Sequence, residues 1–143
     1  MTEAKFLSGR VLKRSLPVVE PGSGGEKPSV KRLLLPQGEL AQFYDGEEPI
    51  RYLAYIELRP GVTRGNHYHK VKEEWIYVLQ GRGVLFLQDI ESKEKASVPL
   101  TSGDLAFVPP GIAHALQISE PGQAVEFSKV RFDAGDIHRF SLV

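Results

Sequence analysis

The chain has 143 residues, a length that predicts a single domain. Its 18 basic and 18 acidic residues give a formal net charge of +0, so no excess positive charge is present to bind a nucleic-acid backbone or an anionic membrane. The absence of cysteine excludes disulfide bonds, cysteine-ligated metals and a thiol nucleophile.

The first segment, residues 1–29, is predicted as an N-terminal arm that ends in a loop. Residues 1–14 contain several charges and no continuous apolar stretch, so we expect neither a signal peptide nor a membrane anchor, and a cytoplasmic protein. Residues 17–28 contain three prolines and three glycines, which predicts a loop. Within the arm, an edge strand is predicted around four apolar residues: Phe6, Leu7, Val11 and Leu12.

From residue 30 onward, short apolar or alternating runs recur about every ten residues, as in a β sandwich or barrel. The runs cover residues 30–35, 40–44, 51–58, 75–80, 84–89, 96–100, 105–108, 113–118 and 125–132. Turn signals lie at 59–61, 80–83, 109–111 and 120–123. No run has a helical period and no repeat is visible, so the sequence predicts one all-β unit over residues 30–135, followed by a tail at 136–143.

Three of the four histidines form a pattern with one glutamate. His67 and His69 are two residues apart, so on a strand they point to the same side. Residues 70–72 must then turn the chain before Glu74 begins the next strand, and His114 follows the turn at 109–111. Three imidazoles and a carboxylate that converge in an apolar barrel form a site suited to Fe, Mn, Zn, Ni or Cu.

These residues stand in two motifs that resemble the motifs of the cupin family. The first reads Gly61, five residues, His67-Tyr68-His69, four residues, Glu74, six residues and Gly81. The second reads Gly103, five residues, Pro109-Pro110-Gly111, two residues, His114, three residues and then Ile118, where the family usually has asparagine. The resemblance implies a double-stranded β-helix (the jelly-roll barrel) and one divalent transition metal per chain, Fe, Mn, Zn or Ni, held by His67, His69, Glu74 and His114.

Glu73 is the alternative carboxylate of the predicted site. The six residues between Glu74 and Gly81 favour Glu74 as the metal ligand, because that is the spacing of the family motif. Glu73 faces the opposite side of an extended chain. It remains a candidate catalytic group, together with His67 and His69.

The segment at residues 64–70 carries a second resemblance. Its sequence, Arg-Gly-Asn-His-Tyr-His-Lys, is similar to a segment of cupins that act on nucleotide sugars, including keto-sugar isomerases. This similarity implies a small polar carbonyl compound as substrate. Arg64 enters the ligand strand three residues before His67, where a guanidinium can hold an anionic group. Arg51 and Tyr52 are further candidates for substrate binding.

The family resemblance leaves three functions open, because cupins include enzymes of several classes and binding proteins. The first is a metal-dependent isomerase or epimerase acting on a sugar or sugar nucleotide. The second is an Fe(II) or Mn(II) dioxygenase, for which the same ligands leave coordination positions free. The third is a non-catalytic protein that binds a small ligand through its metal.

The outward face of the strand that begins at Glu74 carries Trp75, Tyr77 and Leu79. Bare aromatic side chains on a sheet face are unfavourable in water, so we expect the N-terminal arm or a second subunit to cover them. The cupin resemblance favours a homodimer. The fourth histidine, His138, is predicted to be a surface or tail residue.

Overall fold

The structure, a computed structural model, describes residues 2–22, 25 and 28–143. Its described residues form strands joined by loops and one 3-10 turn at Ala134–Asp136. In chain order the strands are β1 (Thr2–Phe6), β2 (Val11–Ser15), β3 (Val18–Val19), β4 (Lys31–Leu35), β5 (Gly38–Gln42), β6 (Tyr52–Leu58), β7 (Thr63–Tyr68), β8 (Glu74–Asp89), β9 (Lys95–Thr101), β10 (Asp104–Val108), β11 (Ile112–Ser128) and β12 (His138–Arg139).

Nine of these strands form one main sheet that curves into a barrel. Its order is β1-β2-β10-β8-β11-β7-β12, with β6 also paired to β11 and β9 to β8, while β3, β4 and β5 form a small second sheet. All pairs in the main sheet are antiparallel. The predicted all-β jelly-roll architecture is therefore confirmed. Within the described residues, no helix has the length and apolar character needed to cross a membrane.

The two longest strands, β8 and β11, pair with each other along most of their length. The sequence predicted turns at 80–83 and 120–123, and this prediction was wrong, because both strands continue through these residues. The pairing changes register between Ile118 and Ala124, so the chain bends through β-bulges instead of reversing. Gly81, with φ of 109°, permits this bend in β8.

The barrel interior is filled by side chains that alternate along β8 and β11. Ile76, Val78, Leu85 and Leu87 of β8 belong to one buried cluster with the inward residues of β11. Ile118, which replaces the usual asparagine of the second motif, is 3% exposed and packs in the same cluster. At this position the chain gains apolar burial in place of a side-chain amide.

The outward face of β8 is covered by residues of the same chain. Tyr77 is 1% exposed, and its ring stacks on Phe43 with the ring centroids 4.4 Å apart. Leu16, which follows β2, packs into the same cluster. The expected cover from the N-terminal arm is therefore present in part, through Leu16. Phe43, in the segment after β5, covers Tyr77 as well. Leu79 remains 40% exposed.

The N-terminal arm differs from its predicted form. Instead of one edge strand around residues 6–12, the chain makes a hairpin of β1 and β2, because Leu7, Ser8 and Gly9 all adopt positive φ and reverse it. Strand β2 then pairs with β10. Within the predicted loop at 17–28, β3 pairs in parallel with β4, while residues 23, 24, 26 and 27 of that loop lie outside the described residues.

Strand ends elsewhere also depart from the sequence prediction. The predicted run at 125–132 ends at Ser128, where the chain leaves β11. Residues 138–139, in the predicted C-terminal tail, form β12 and pair with β7. The ring of His138 stacks on Tyr68, so this histidine is partly buried against the sheet.

Asp89 at the end of β8 connects the N-terminal hairpin to the barrel. Arg10 Nη1 donates to its Oδ2 at 2.6 Å, and the N–H groups of Glu91 and Ser92 donate to its Oδ1 at 2.9 and 3.2 Å. Burial raises the pKa of Asp89, but these donors outweigh burial and lower the pKa below its ordinary value. The ionised carboxylate is therefore the form that stabilises the fold.

We expect Asp89→Asn to lower the free energy of unfolding by about 1–3 kcal/mol at neutral pH, because bonds to a charged acceptor are lost. Since the folded pKa is depressed, the contribution of Asp89 is complete above about pH 4 and is lost as the pH falls through the folded pKa. Urea titrations of both proteins at pH 7 and at about pH 3 measure this, with exposed Glu91→Gln as control. If Asp89→Asn lowered the free energy of unfolding equally at both pH values, this expectation would be wrong.

Candidate metal centre

The four predicted ligands come from three strands and the loop between two of them. His67 lies on β7 and His114 lies directly opposite it on β11, beside a register shift. His69 follows the end of β7, and Glu74 is the first residue of β8. One ligand atom from each of the four lies within 4.8 Å of the others. The structure thus brings together the set that the sequence predicted.

The hydrogen bonds of two histidines direct their other ring nitrogen to the carboxylate. Nδ1 of His69 donates to the carbonyl of Asp136 at 2.8 Å, and Nδ1 of His114 donates to the carbonyl of Ile112 at 3.0 Å. In the neutral rings, both Nε2 atoms therefore present lone pairs. They lie 2.9 and 3.1 Å from the two oxygens of Glu74.

This arrangement of acceptors fits a cation. His114 Nε2 is buried and, although close to Glu74, lies outside hydrogen-bond geometry, so it has no hydrogen-bond partner among the described residues. A nitrogen lone pair and a carboxylate oxygen at this distance repel each other unless a proton or a metal ion lies between them. Three imidazole nitrogens and a carboxylate oxygen are a donor set that divalent transition metals bind well.

The pKa values of the site follow from burial and from the shared carboxylate. Burial, together with His114, lowers the pKa of His67 to about 4, so this ring is neutral at neutral pH. Burial raises the pKa of Glu74, but His114, His69 and Lys72 hold it well below its ordinary value. Burial lowers the pKa of His114, but Glu74 reverses this and raises it. A metal ion at the site therefore competes with the proton of His114.

A cavity of about 410 Å³ opens against the four side chains. Of the residues predicted for substrate binding, Arg64 and Tyr52 line this cavity. Arg51 does not line it, because its guanidinium points elsewhere and donates to the carbonyl of Lys129 at 3.0 Å. Glu73 does not line it either, since successive residues of an extended chain face opposite sides.

Two charged residues of the cavity wall were missed by the sequence analysis. Lys72 is 4% exposed, with Nζ 3.3 Å from Glu74 Oε1 and 4.0 Å from the ring centroid of Tyr52. Glu126 on β11 lines the cavity, and burial, together with the charge of Glu74, raises its pKa to about 7. Strand periodicity is the signal that identifies Glu126, because it shares a face with the buried Ala124 and Ser128.

The turn between His69 and Glu74 is held by Asp136. Its carboxylate accepts the backbone N–H groups of Lys70, Val71 and Lys72 at 2.8, 3.1 and 3.0 Å. Its carbonyl also orients His69, as described above. A single residue of the C-terminal segment therefore fixes both a candidate ligand and the turn that leads to the next one.

Comparisons with known proteins reveal curated relatives and similar solved structures. The chain is 34% identical over 80 residues to an oxalate decarboxylase of Bacillus subtilis and 33% identical over 90 residues to an oxalate decarboxylase of Arthroderma benhamiae. These matches cover 56% and 63% of the chain but only 20% of each relative. The chain thus spans about a fifth of the length of the curated relatives it matches.

Two similar solved structures are named as a ketoisomerase and an epimerase. A 3,4-ketoisomerase from Helicobacter canadensis has a TM-score of 0.67 at 18% identity, with 78% of this chain and 86% of that chain covered. The RmlC epimerase of Mycobacterium tuberculosis has a TM-score of 0.73 at 12% identity, with 97% and 72% covered. At these identities the likeness shows a shared fold.

The family assignment rests on sequence as well as on the fold. The family model for the cupin domain matches residues 54–128, which is more than half of the chain. This range runs from β6 to the end of β11 and includes all four residues of the candidate metal centre. The chain belongs to the cupin family.

Proposed function

We propose that this protein binds one divalent transition metal through His67, His69, Glu74 and His114 and transfers a proton next to the carbonyl group of a small anionic compound. The reaction class is isomerisation or epimerisation, and a sugar or sugar nucleotide is the substrate type. The observation that carries the proposal is the convergence of the four donors on a cavity whose wall holds a second carboxyl group, Glu126.

A metal bound by these donors supplies Lewis-acid polarisation of a carbonyl oxygen. Glu126 accepts and returns the proton. The sequence analysis had considered Glu73 for this role, but Glu73 does not line the cavity. Burial is the largest cause of the raised pKa of Glu126 and favours the protonated form, which suits a group that accepts and returns a proton near neutral pH. His67 and His69 remain candidate acid–base groups, but both ring nitrogens of His69 already have polar neighbours, which favours a ligand role.

The charges of the cavity select the substrate class. Lys72 and Arg64 bring two cations to the wall, and a guanidinium suits a carboxylate or phosphate oxygen pair. Tyr52 lines the cavity beside them, with Lys72 over its ring and Phe132 stacked on it. A volume of about 410 Å³ is suited to a small molecule. The ketoisomerase and epimerase names of proteins with this fold support the same class.

The test is proton exchange in heavy water. Metal-loaded protein is incubated with phosphorylated and nucleotide-linked keto sugars, and proton NMR follows the loss of the signal next to the carbonyl. We expect Glu126→Gln to lower kcat by about 10²–10⁴-fold, because an amide cannot exchange the proton. Glu57→Gln, exposed on the outer side of β6, is the matched control and should leave kcat unchanged.

Two results would contradict this proposal. The first is the absence of exchange with every compound of the panel, and the second is full activity of Glu126→Gln. Elemental analysis of the same samples confirms that the metal content is equal, so that a lost ligand is not mistaken for a lost proton carrier.

Decarboxylation of a small dicarboxylate is a second candidate, supported by the names of the two curated relatives and by Lys72 and Arg64 in the wall. Release of CO₂ from such a compound favours it over isomerisation. Uptake of O₂ on addition of substrate identifies the dioxygenase, and saturable binding without turnover identifies a binding protein.

A homodimer also stays a prediction, for which the exposed Leu53 and Tyr55 of β6 offer an apolar surface.

A further inference from the structure

A second cavity lies on the outer side of the main sheet, where the segment at residues 44–50 crosses it. Its volume is about 430 Å³, similar to that of the cavity at the candidate metal centre. Trp75 of β8 and Glu73, the residue before β8, line it on the side opposite to Glu74. None of the four candidate metal ligands contributes to its lining.

Aromatic rings form much of the wall of this outer cavity. Trp75 packs on Phe107 with centroids 4.6 Å apart and lies parallel to Phe127 at 6.0 Å. Tyr44 contacts Phe127 edge to face at 5.7 Å. Aromatic faces carry negative electrostatic potential and attract cations. The guanidinium of Arg14 already lies 5.8 Å from the ring centroid of Trp75, in a neighbouring cavity.

Glu73 brings a buried negative charge to the same cavity. The residue is 9% exposed, and the hydrogen bond that its carboxylate accepts from the backbone N–H of Lys129 is long at 3.3 Å. Glu73 forms no ion pair with any described residue, and the ammonium of Lys129 is paired with Glu48 at 3.2 Å. A buried carboxylate without a cationic partner is costly, so a cation that enters the cavity regains favourable free energy.

We propose that the outer cavity binds a small organic cation, with its ammonium or guanidinium group at Glu73 and its apolar or aromatic body against Trp75, Phe107 and Phe127. Two further carboxylates, Glu47 and Glu48, line the cavity, so among its described lining residues three are acidic and one, Lys129, is basic. The three carboxylates are not among the described side chains that converge as metal ligands, and the carbon rings of the wall offer a metal ion no ligand atoms. The proposal does not depend on the metal centre or on the reaction proposed for it.

The chain contains one tryptophan, Trp75, so its intrinsic fluorescence reports on this cavity directly. The probes are three molecules of similar shape: 2-phenylethylamine, 2-phenylethanol and 3-phenylpropionate. We expect a saturable fluorescence change with the amine, at a dissociation constant at least about ten-fold lower than that for the alcohol. The anionic probe should bind more weakly than either.

Two variants locate the binding. Glu73→Gln keeps the shape of the side chain and should remove the ten-fold preference for the amine, while Glu91→Gln, an exposed residue after β8, should retain it. Phe107→Ala, followed by calorimetry, should weaken all three probes, because it removes part of the ring wall. Addition of a chelator should change none of these values.

The proposal is overturned by equal affinity for amine and alcohol in the wild-type protein, which needs no variant to fold. It is also overturned if Glu73→Gln retains the preference, or if no probe alters the fluorescence. A fluorescence change that follows protein concentration instead of probe concentration would assign the cavity to contact with a second copy, and would overturn it as well.

Discussion

Replacing His114 with alanine is expected to reduce the bound metal from about one equivalent per chain to a trace, because the loss of one of four donors costs more than the 10–100-fold typical of supporting residues. Of the four candidate ligands, His114 is the one whose replacement we expect to have the largest effect on bound metal. Its Nε2 is buried and has no hydrogen-bond partner in the part of the chain that the structure describes, and its Nδ1 donates to the carbonyl of Ile112. Elemental mass spectrometry on purified, tag-free protein measures the change.

The matched control is His138→Ala. His138 is the one histidine that is not among the four donors; its ring stacks on Tyr68, and its Nε2 lies 3.6 Å from Asp136 Oδ1. Its replacement should leave the metal content unchanged. If His114→Ala and the wild-type protein hold equal metal, or if neither takes up metal from Mn, Fe, Zn or Ni solutions, the four residues are not a metal site.

A comparably large effect on stability is expected for Gly122→Ala. A methyl group at this position collides with the backbone carbonyl of Gln80 and comes within 2.7 Å of the backbone nitrogen of Gly81. Neither strand can move aside, because β8 and β11 are paired on both sides of this point. We expect a loss of more than about 3 kcal/mol in the free energy of unfolding, which is a large fraction of the stability of a small domain.

Gly61→Ala separates this collision from the cost of backbone conformation. Gly61 has φ of 78°, and a methyl group there meets no atom within 4 Å. Its replacement should cost only about 1 kcal/mol, from the left-handed conformation alone. Urea unfolding of both variants measures the difference, and equal losses would show that the close approach at Gly122 relaxes easily.

Much of the barrel could be predicted because the strands alternate apolar and polar residues with a period of two. Each predicted run overlaps a strand of the structure. Two of the errors lie at glycines and prolines, which mark bulges as readily as turns: residues 80–83 and 120–123 bend two long strands without ending them. Local sequence does not distinguish the two, because the neighbouring strand decides whether the pairing continues.

The candidate site could be predicted as far as spacing alone determines it. His67, His69, Glu74 and His114 are related by strand alternation and motif spacing, and the structure brings them together. The role of Asp136 depends on contacts between distant segments, which no local pattern contains, whereas the alternation of β11 could have placed Glu126 on the inward face. Arg51 failed as a cavity residue because the end of a strand does not fix the direction of a long side chain.

The continuous strands β8 and β11 also limit how the cavity at the candidate metal centre can open. Each strand continues through its bulge without a break. The parts of the main sheet on the two sides of the bulges therefore share the same two backbones and cannot hinge apart. Opening is therefore left to the segments outside these strands. The stretch after β11, which includes Phe132 and Ile137 of the cavity wall, is one such segment, and it bonds through Asp136 to the turn before Glu74. A displacement of this segment would therefore also remove the hydrogen bonds that hold the turn before Glu74.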